Sequence, residues 1–182
     1  MKALRIIRDE HRSISAVLHA LKDLVREAQQ PGARPAFPAL RAMIRYIDEF
    51  PEKLHHPKED RYLFERLEVR APQARPLIEA LRAEHVEGAR LVRELERALV
   101  FYEDRAPDGA REFADAVNAY AEFHWKHMQK EEHELLPLAE RHLTPADWRE
   151  IDMVFVDNPD FEKLFTRVVN LAPAPVGLGP AA

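Results

Sequence analysis

The stretch His124 to Pro137, HWKHMQKEEHELLP, leaves little choice of fold. On a helix, His127 and Glu131 are four residues apart, so both side chains leave one face a turn from each other. That face continues through Phe113, Val117, Tyr120, His124, His127, Glu131, Leu135 and Leu138. A stripe with this spacing is normally apolar and is buried against neighbouring helices. Imidazole and carboxylate in its middle cost several kcal/mol unless other segments bring partners to the same place.

The rest of the chain supplies such segments. Residues 2 to about 29 predict a first helix, with Leu4, Ile7, His11, Ile14, Leu18, Leu21 and Val25 on one face, ended by Pro31 and Gly32. A second helix is predicted from about 37 to 70, interrupted by Pro51 and Pro57, each expected to kink or restart it. A third spans about 76 to 104, with His85 and Gly88 among its inward residues, and a fourth about 108 to 142. Four long helices with short loops predict an all-α, antiparallel up-down-up-down four-helix bundle over residues 1–143. Thr144-Pro145-Ala146-Asp147 reads as a capping box that starts a short helix through about Val156, with Trp148, Ile151 and Phe155 as packing residues. Another brief helix is expected after Asn158-Pro159, through Phe161, Leu164 and Phe165. Residues 144–170 would thus form a helical extension packed on the bundle, and the Pro/Gly/Ala-rich residues 171–182 a flexible tail.

Composition narrows the chemistry. A formal net charge of −5 gives no basic surface for nucleic acid or anionic membrane. No apolar run approaches a membrane span, and MKALRIIRDEHR lacks the apolar core and cleavage site of a signal peptide. The absence of cysteine removes disulfides, thiolate metal sites and cysteine nucleophiles, and suits a cytoplasmic location. Nine histidines remain as metal ligands of intermediate softness.

Each long helix carries an inward histidine: His11, His55, His85 and His127. They lie about 18 or 19 residues from the same end of the bundle, which at about 1.5 Å per residue puts them at one level. The second and fourth helices repeat His-x3-Glu-x3-Leu, as His55, Glu59, Leu63 and His127, Glu131, Leu135. The first and third share Glu-His, as Glu10-His11 and Glu84-His85. The intervals from His11 to His55 and from His85 to His127 are 44 and 42 residues, the mark of a repeated helical hairpin. A lone histidine on an apolar stripe is usually a satisfied core residue. Four at one level, two with a carboxylate a turn away, would leave the core crowded with like charges unless a cation were present. Four imidazoles and two bridging carboxylates would leave about four of the positions around two octahedral ions for water, an oxo or hydroxo bridge and a small exogenous molecule. A single closed zinc site would strand two of the six groups. Iron, manganese and zinc all suit these donors.

Together, DEHRSI, HHPKEDRYLF, EHVEGARL and HWKHMQKEEHELLPLA resemble the hemerythrin-like (HHE cation-binding) family over roughly residues 1–142. The resemblance implies a four-helix bundle holding a non-haem di-iron centre, with His11, His55, Glu59, His85, His127 and Glu131 as metal ligands. It also implies roles in binding O2 or NO, in iron or redox sensing, or in stress protection. Two features depart from the oxygen-carrying members. Their third helix supplies two histidines a turn apart, whereas Leu81 and Ala89 flank His85 here. Their fourth helix spaces histidine and aspartate by five.

Several residues stay open on the sequence. His56/Asp60 rivals His55/Glu59, and both histidines could ligate. His124 is either a ligand or a partner to one. Glu132 and Asp60 read as solvated or as supports for a ligand, and Tyr120 and Tyr62 as packing. Gly88 makes room either for ions or for close helix contact. His19, His133 and His142 are given no role. The leading expectation is a non-haem iron protein that binds a diatomic molecule or responds to iron or redox state. An enzyme turning over peroxide, NO or O2 ranks lower, because the Glu-x-x-His motifs of di-iron oxygenases are missing from the site. A third expectation is a metal-responsive interaction module, with Trp148, Phe155 or Phe161 exposed to a protein partner or a second copy, although the same residues are better read as capping the open end of the bundle.

Overall fold

The computed structural model describes residues 1–156, 165, 166 and 168. Helix α1 is Lys2–Ala28, α2 covers residues 37–70, α3 is Arg75–Asp104, α4 covers residues 110–142 and α5 is Pro145–Val154. Consecutive long helices pack side by side and α4 returns against α1, which closes an antiparallel bundle. The described residues contain no strand, and the predicted bundle is borne out, with helix ends within two residues of expectation. Among the described residues, no helix is long and apolar enough to cross a membrane.

The core is split in two. At one end Ala3, Leu4, Ile7, Leu63, Phe64, Leu81, Leu135 and Leu136 form one apolar cluster. At the other, Ile14, Leu18, Leu40, Met43, Phe50, Val92, Leu95, Phe113 and Val117 form a second. Between them, in chain order, lie Glu10, His11, His55, His56, Glu59, His85, His124, His127 and Glu131, all buried. The polar layer is therefore sealed above and below by hydrocarbon, in a medium where charge interactions are poorly screened.

Prolines shape the two helices that carry the His/Glu pairs. In α2 the α-helical Phe37–Ile47 gives way to a π-helical segment Asp48–His55, a short α turn His56–Lys58, a second π segment Glu59–Phe64 and α-helix Glu65–Arg70. In α4, Ala110–Lys130 is followed by π turn Glu131–Leu135 and α-helix Leu136–His142. A proline inside a helix cannot donate to the carbonyl four residues back, and its ring crowds that carbonyl. Here the turns widen instead of breaking, so the chain stays helical through Pro51 and restarts as a new α turn at His56–Lys58, with Pro57 in its first turn. The His56 N–H reaches the Pro51 carbonyl and the Leu136 N–H reaches the Glu131 carbonyl, both five residues back. Such π turns are rare and occur mostly at functional sites.

Helix α5 covers one end of the bundle. The predicted capping box is present: the Asp147 N–H donates to Thr144 Oγ1 at 3.2 Å, and the Thr144 N–H donates to Asp147 Oδ2 at 2.9 Å. Arg70 adds a bidentate pair to Asp147 at 2.8 and 3.1 Å. Trp148 and Phe155 are buried, in the same apolar cluster as Leu4, Ile7 and Leu136. This bears out the reading of these two as packing residues over the alternative that exposes them to a partner. Burying each ring here contributes about 2 kcal/mol, which an exposed position would forgo. Phe161, the start of the expected second short helix and the 171–182 tail lie outside the described residues. Phe165 and Val168, beyond that gap, join the apolar cluster that contains Tyr46.

Candidate metal centre

Two groups of side chains converge in the polar layer. His11, His55, Glu59 and Glu131 form one, His56, His85 and His127 the other, and in each every residue offers a donor atom within 4.8 Å of the others. In the first, His11 Nε2 and His55 Nε2 face each other at 3.1 Å. The carboxylates link the groups. Glu59 turns Oε1 to His55 Nε2 at 3.4 Å and Oε2 to His85 Nε2 at 3.8 Å. Glu131 turns Oε2 to His11 Nε2 at 3.3 Å and His127 Nε2 at 3.5 Å, and Oε1 to His85 Nε2 at 3.7 Å. Both glutamates begin a π segment, at Glu59–Phe64 and Glu131–Leu135.

The outer nitrogen of each of four rings is held by a different carboxylate. His55 Nδ1 meets Glu10 at 2.7 Å and His127 Nδ1 meets Glu84 at 3.0 Å. His11 Nδ1 meets Glu132 at 2.9 Å and His85 Nδ1 meets Asp60 at 3.1 Å. An ionised carboxylate only accepts, so each Nδ1 carries the proton; in the neutral ring the Nε2 lone pair then faces inward, the state a metal needs. The arrangement follows the hairpin repeat. The glutamate preceding His11 or His85 serves the histidine of its own hairpin, and the acid following Glu59 or Glu131 serves the other hairpin.

The electrostatics are strained by burial. Burial would lower His11, but the nearby carboxylates of Glu131 and Glu132 outweigh it and raise its pKa to about 9. His85 is likewise raised to about 9, by Asp60 and Glu131 against its burial. Burial lowers His55 despite Glu10. It lowers His56 and His124 well below the usual imidazole range, with neighbouring imidazoles adding to the effect. Glu59 is pushed well above the carboxylate range by burial, then by the charges of Glu131 and Glu10. Glu131 is held well below it, because His127, His11 and His85 overcome its burial. Glu52, nearby on α2, is raised to about 7, chiefly by burial and against the hydrogen bond from Tyr120.

Both oxygens of Glu59 and of Glu131, the inner nitrogens of His85 and His127, and both nitrogens of His56 and His124 have no hydrogen-bond partner. An unmet buried polar group costs about 1–3 kcal/mol. So many in one layer is untenable for structure alone, and imidazole nitrogens with carboxylate oxygens are the donors a divalent cation takes. The residues fit a metal.

Residues 2–139 match the model of the hemerythrin HHE cation-binding domain. The chain belongs to this family. A search of curated proteins gives no match. Membership makes the hemerythrin HHE chain a metal-binding helical domain, and the His/Glu groups are where a metal could sit.

The predicted site residues of this hemerythrin HHE domain converge with one exception. His11, His55, Glu59, His85, His127, Glu131 and His56 lie in the two groups. His124 is fully buried, yet it stands beside them, its ring 5.3 Å from that of His56 and stacked on Tyr120. Of the rival pairs His55/Glu59 and His56/Asp60, both histidines face inward, Glu59 lies between the groups, and Asp60 holds His85. His56 stacks on His85 with ring centres 4.2 Å apart. The third imidazole of that group thus comes from α2, where the sequence offers Leu81 and Ala89 on α3. Glu10, Glu84 and Glu52 went unassigned. The Glu-His doublets were visible as a signal for the first two; only the packing reveals Glu52. Tyr120 is not mere packing, since its hydroxyl donates to Glu52 Oε1 at 2.9 Å. Gly88 makes room for close contact with the neighbouring helix, where a Cβ would meet Glu52 Oε1 of α2 at 3.0 Å.

Proposed function

We propose that this hemerythrin HHE domain holds two iron ions and binds a small diatomic molecule, O2 or NO, or reports iron or redox state. One observation carries the reading: Glu59 and Glu131 each direct oxygens toward both imidazole groups, as carboxylates shared by two cations would. His11 and His55 would hold one ion, and His85, His127 and His56 the other. Bound iron would supply a redox-active Lewis acid. The protein's own part is to fix a proton on Nδ1 of His11, His55, His85 and His127 through their carboxylates, so that Nε2 is the nitrogen presented to the ions, and to exclude water with the two apolar clusters. A groove of about 260 Å³ between α1 and α4, lined by His11, Trp125, Met128 and Glu132, gives a small molecule a way to His11.

The test is elemental analysis of protein purified without added metal, followed by absorption spectra of the iron-loaded protein before and after exposure to O2 or NO. Two irons per chain and a spectral change on exposure are expected, with His127→Ala losing both. Zinc alone, or a single ion per chain, would refute the reading.

A further inference from the structure

The hairpin repeat is broken at three positions that meet in space. Aligning His11 with His85 sets Ile14 against Gly88. Aligning His55 with His127 sets Glu52 against His124 and His56 against Met128. Gly88, Glu52 and His56 all lie on the His85 side of the centre. Glu52 sits on the π segment Asp48–His55, its side chain only 4% exposed, with Oε2 3.3 Å from His56 Nδ1. Its other oxygen accepts the Tyr120 hydroxyl at 2.9 Å. On the far side a Cβ at residue 88 would stand 3.0 and 3.3 Å from the two carboxylate oxygens, so only glycine leaves the carboxylate unpressed.

The four other imidazoles each rest Nδ1 on a carboxylate, at 2.7 to 3.1 Å. His56 stands to Glu52 in the same relation, at 3.3 Å, with its ring edge turned off the line of a hydrogen bond. A buried carboxylate fixed by a buried phenol, in a space cleared by a glycine, has no apolar purpose: a leucine in its place would pack without unmet charge.

We propose that Glu52, anchored by Tyr120 and seated in the space at Gly88, is a positioning residue that fixes His56 as the third nitrogen donor beside His85 and His127. The two halves of the centre then bind a divalent cation with unequal affinity. This rests on the two-ion reading, and the test separates the two.

Protein stripped with chelator is titrated with Mn2+ and with Zn2+ in a calorimeter, and the melting temperature of the stripped protein is recorded alongside. The wild-type chain should bind two ions in distinguishable steps. Glu52→Gln, Tyr120→Phe and Gly88→Ala should each weaken one step by about 10- to 100-fold, the size of effect that orienting partners of ligands show, and leave the other within twofold. Two steps unchanged in Glu52→Gln, or both weakened equally with a lower melting temperature of the stripped protein, would overturn the proposal. Agreement between Glu52→Gln and Gly88→Ala, one altering charge and the other only space, guards against a variant that merely folds poorly. A wild-type chain that bound fewer than two ions would instead sink the two-ion reading, and this proposal with it.

Discussion

Replacing Glu59 by glutamine keeps the side chain's shape and should move stability in opposite directions with and without metal. Glu59 is fully buried and shares its oxygens between His55 and His85 at 3.4 and 3.8 Å. On the two-ion reading, the variant with metal present loses a carboxylate shared by both ions. Free cation at a hundredfold excess over Kd stabilises by about 2.7 kcal/mol per ion, so losing two costs about 5 kcal/mol. At about 2–4 °C per kcal/mol for a chain of this size, the melting temperature should fall by about 10–20 °C. In stripped protein the sign reverses. Burial and the charges of Glu131 and Glu10 raise the folded-state pKa of Glu59 well above its unfolded value. For such an acid the folded chain holds its proton more tightly, so stability present below the unfolded pKa is lost as pH rises. Glutamine removes that burden, and the stripped variant should melt at or above wild type near neutral pH. Calorimetric melts with saturating metal and with excess chelator decide the matter. An equal drop in both conditions, or wild-type metal content in the variant, would refute the reasoning.

Two further outcomes follow. His11 and His85, raised to about 9, are doubly protonated in stripped protein at pH 7, and Glu59 is pushed toward its protonated form, so metal uptake there should release about two to three protons per chain, read by calorimetry in buffers of different ionisation heat. The sign agrees with a second readout: raised histidines stabilise the stripped fold fully below about pH 6.5, and that contribution should fade as pH climbs through about 9. Gly109→Ala would bring a Cβ within 2.6 Å of the Tyr102 Cα, at the junction of α3 and α4. It should cost about 1–3 kcal/mol in thermal melts without altering metal content.

Much of the centre could be read from residue spacing, because helices translate sequence separation into height and direction. His11, His55, His85 and His127 were placed at one level by counting, and the His-x3-Glu pairs gave the two shared carboxylates their faces. What counting missed depends on departures from regular helix or on neighbouring helices. Adjacent residues on an α-helix point about 100° apart, so His55 and His56 compete for the interior until π turns at the prolines let both face inward. Glu10, Glu84, Asp60 and Glu132 each sit one residue from a predicted ligand, off its face, and find their imidazoles across a helix interface. Glu52 is a charged residue on a helix with few outward signs of burial. Trp148 and Phe155 could have been exposed or buried on pattern alone, and the docking of α5 decided it.

The exchange of outer carboxylates between hairpins has a mechanical corollary. His11 depends on Glu132 and His85 on Asp60, so neither hairpin owns a complete set of oriented donors. Cut at the short turn Pro72–Ala74, the chain would yield two pieces, each with mis-set rings and a weak grip on any cation. Only when the pieces interlock do all four rings take their bearings. The cation then acts as a rivet through both pieces, and its departure would loosen the seam between them before it unravelled either one.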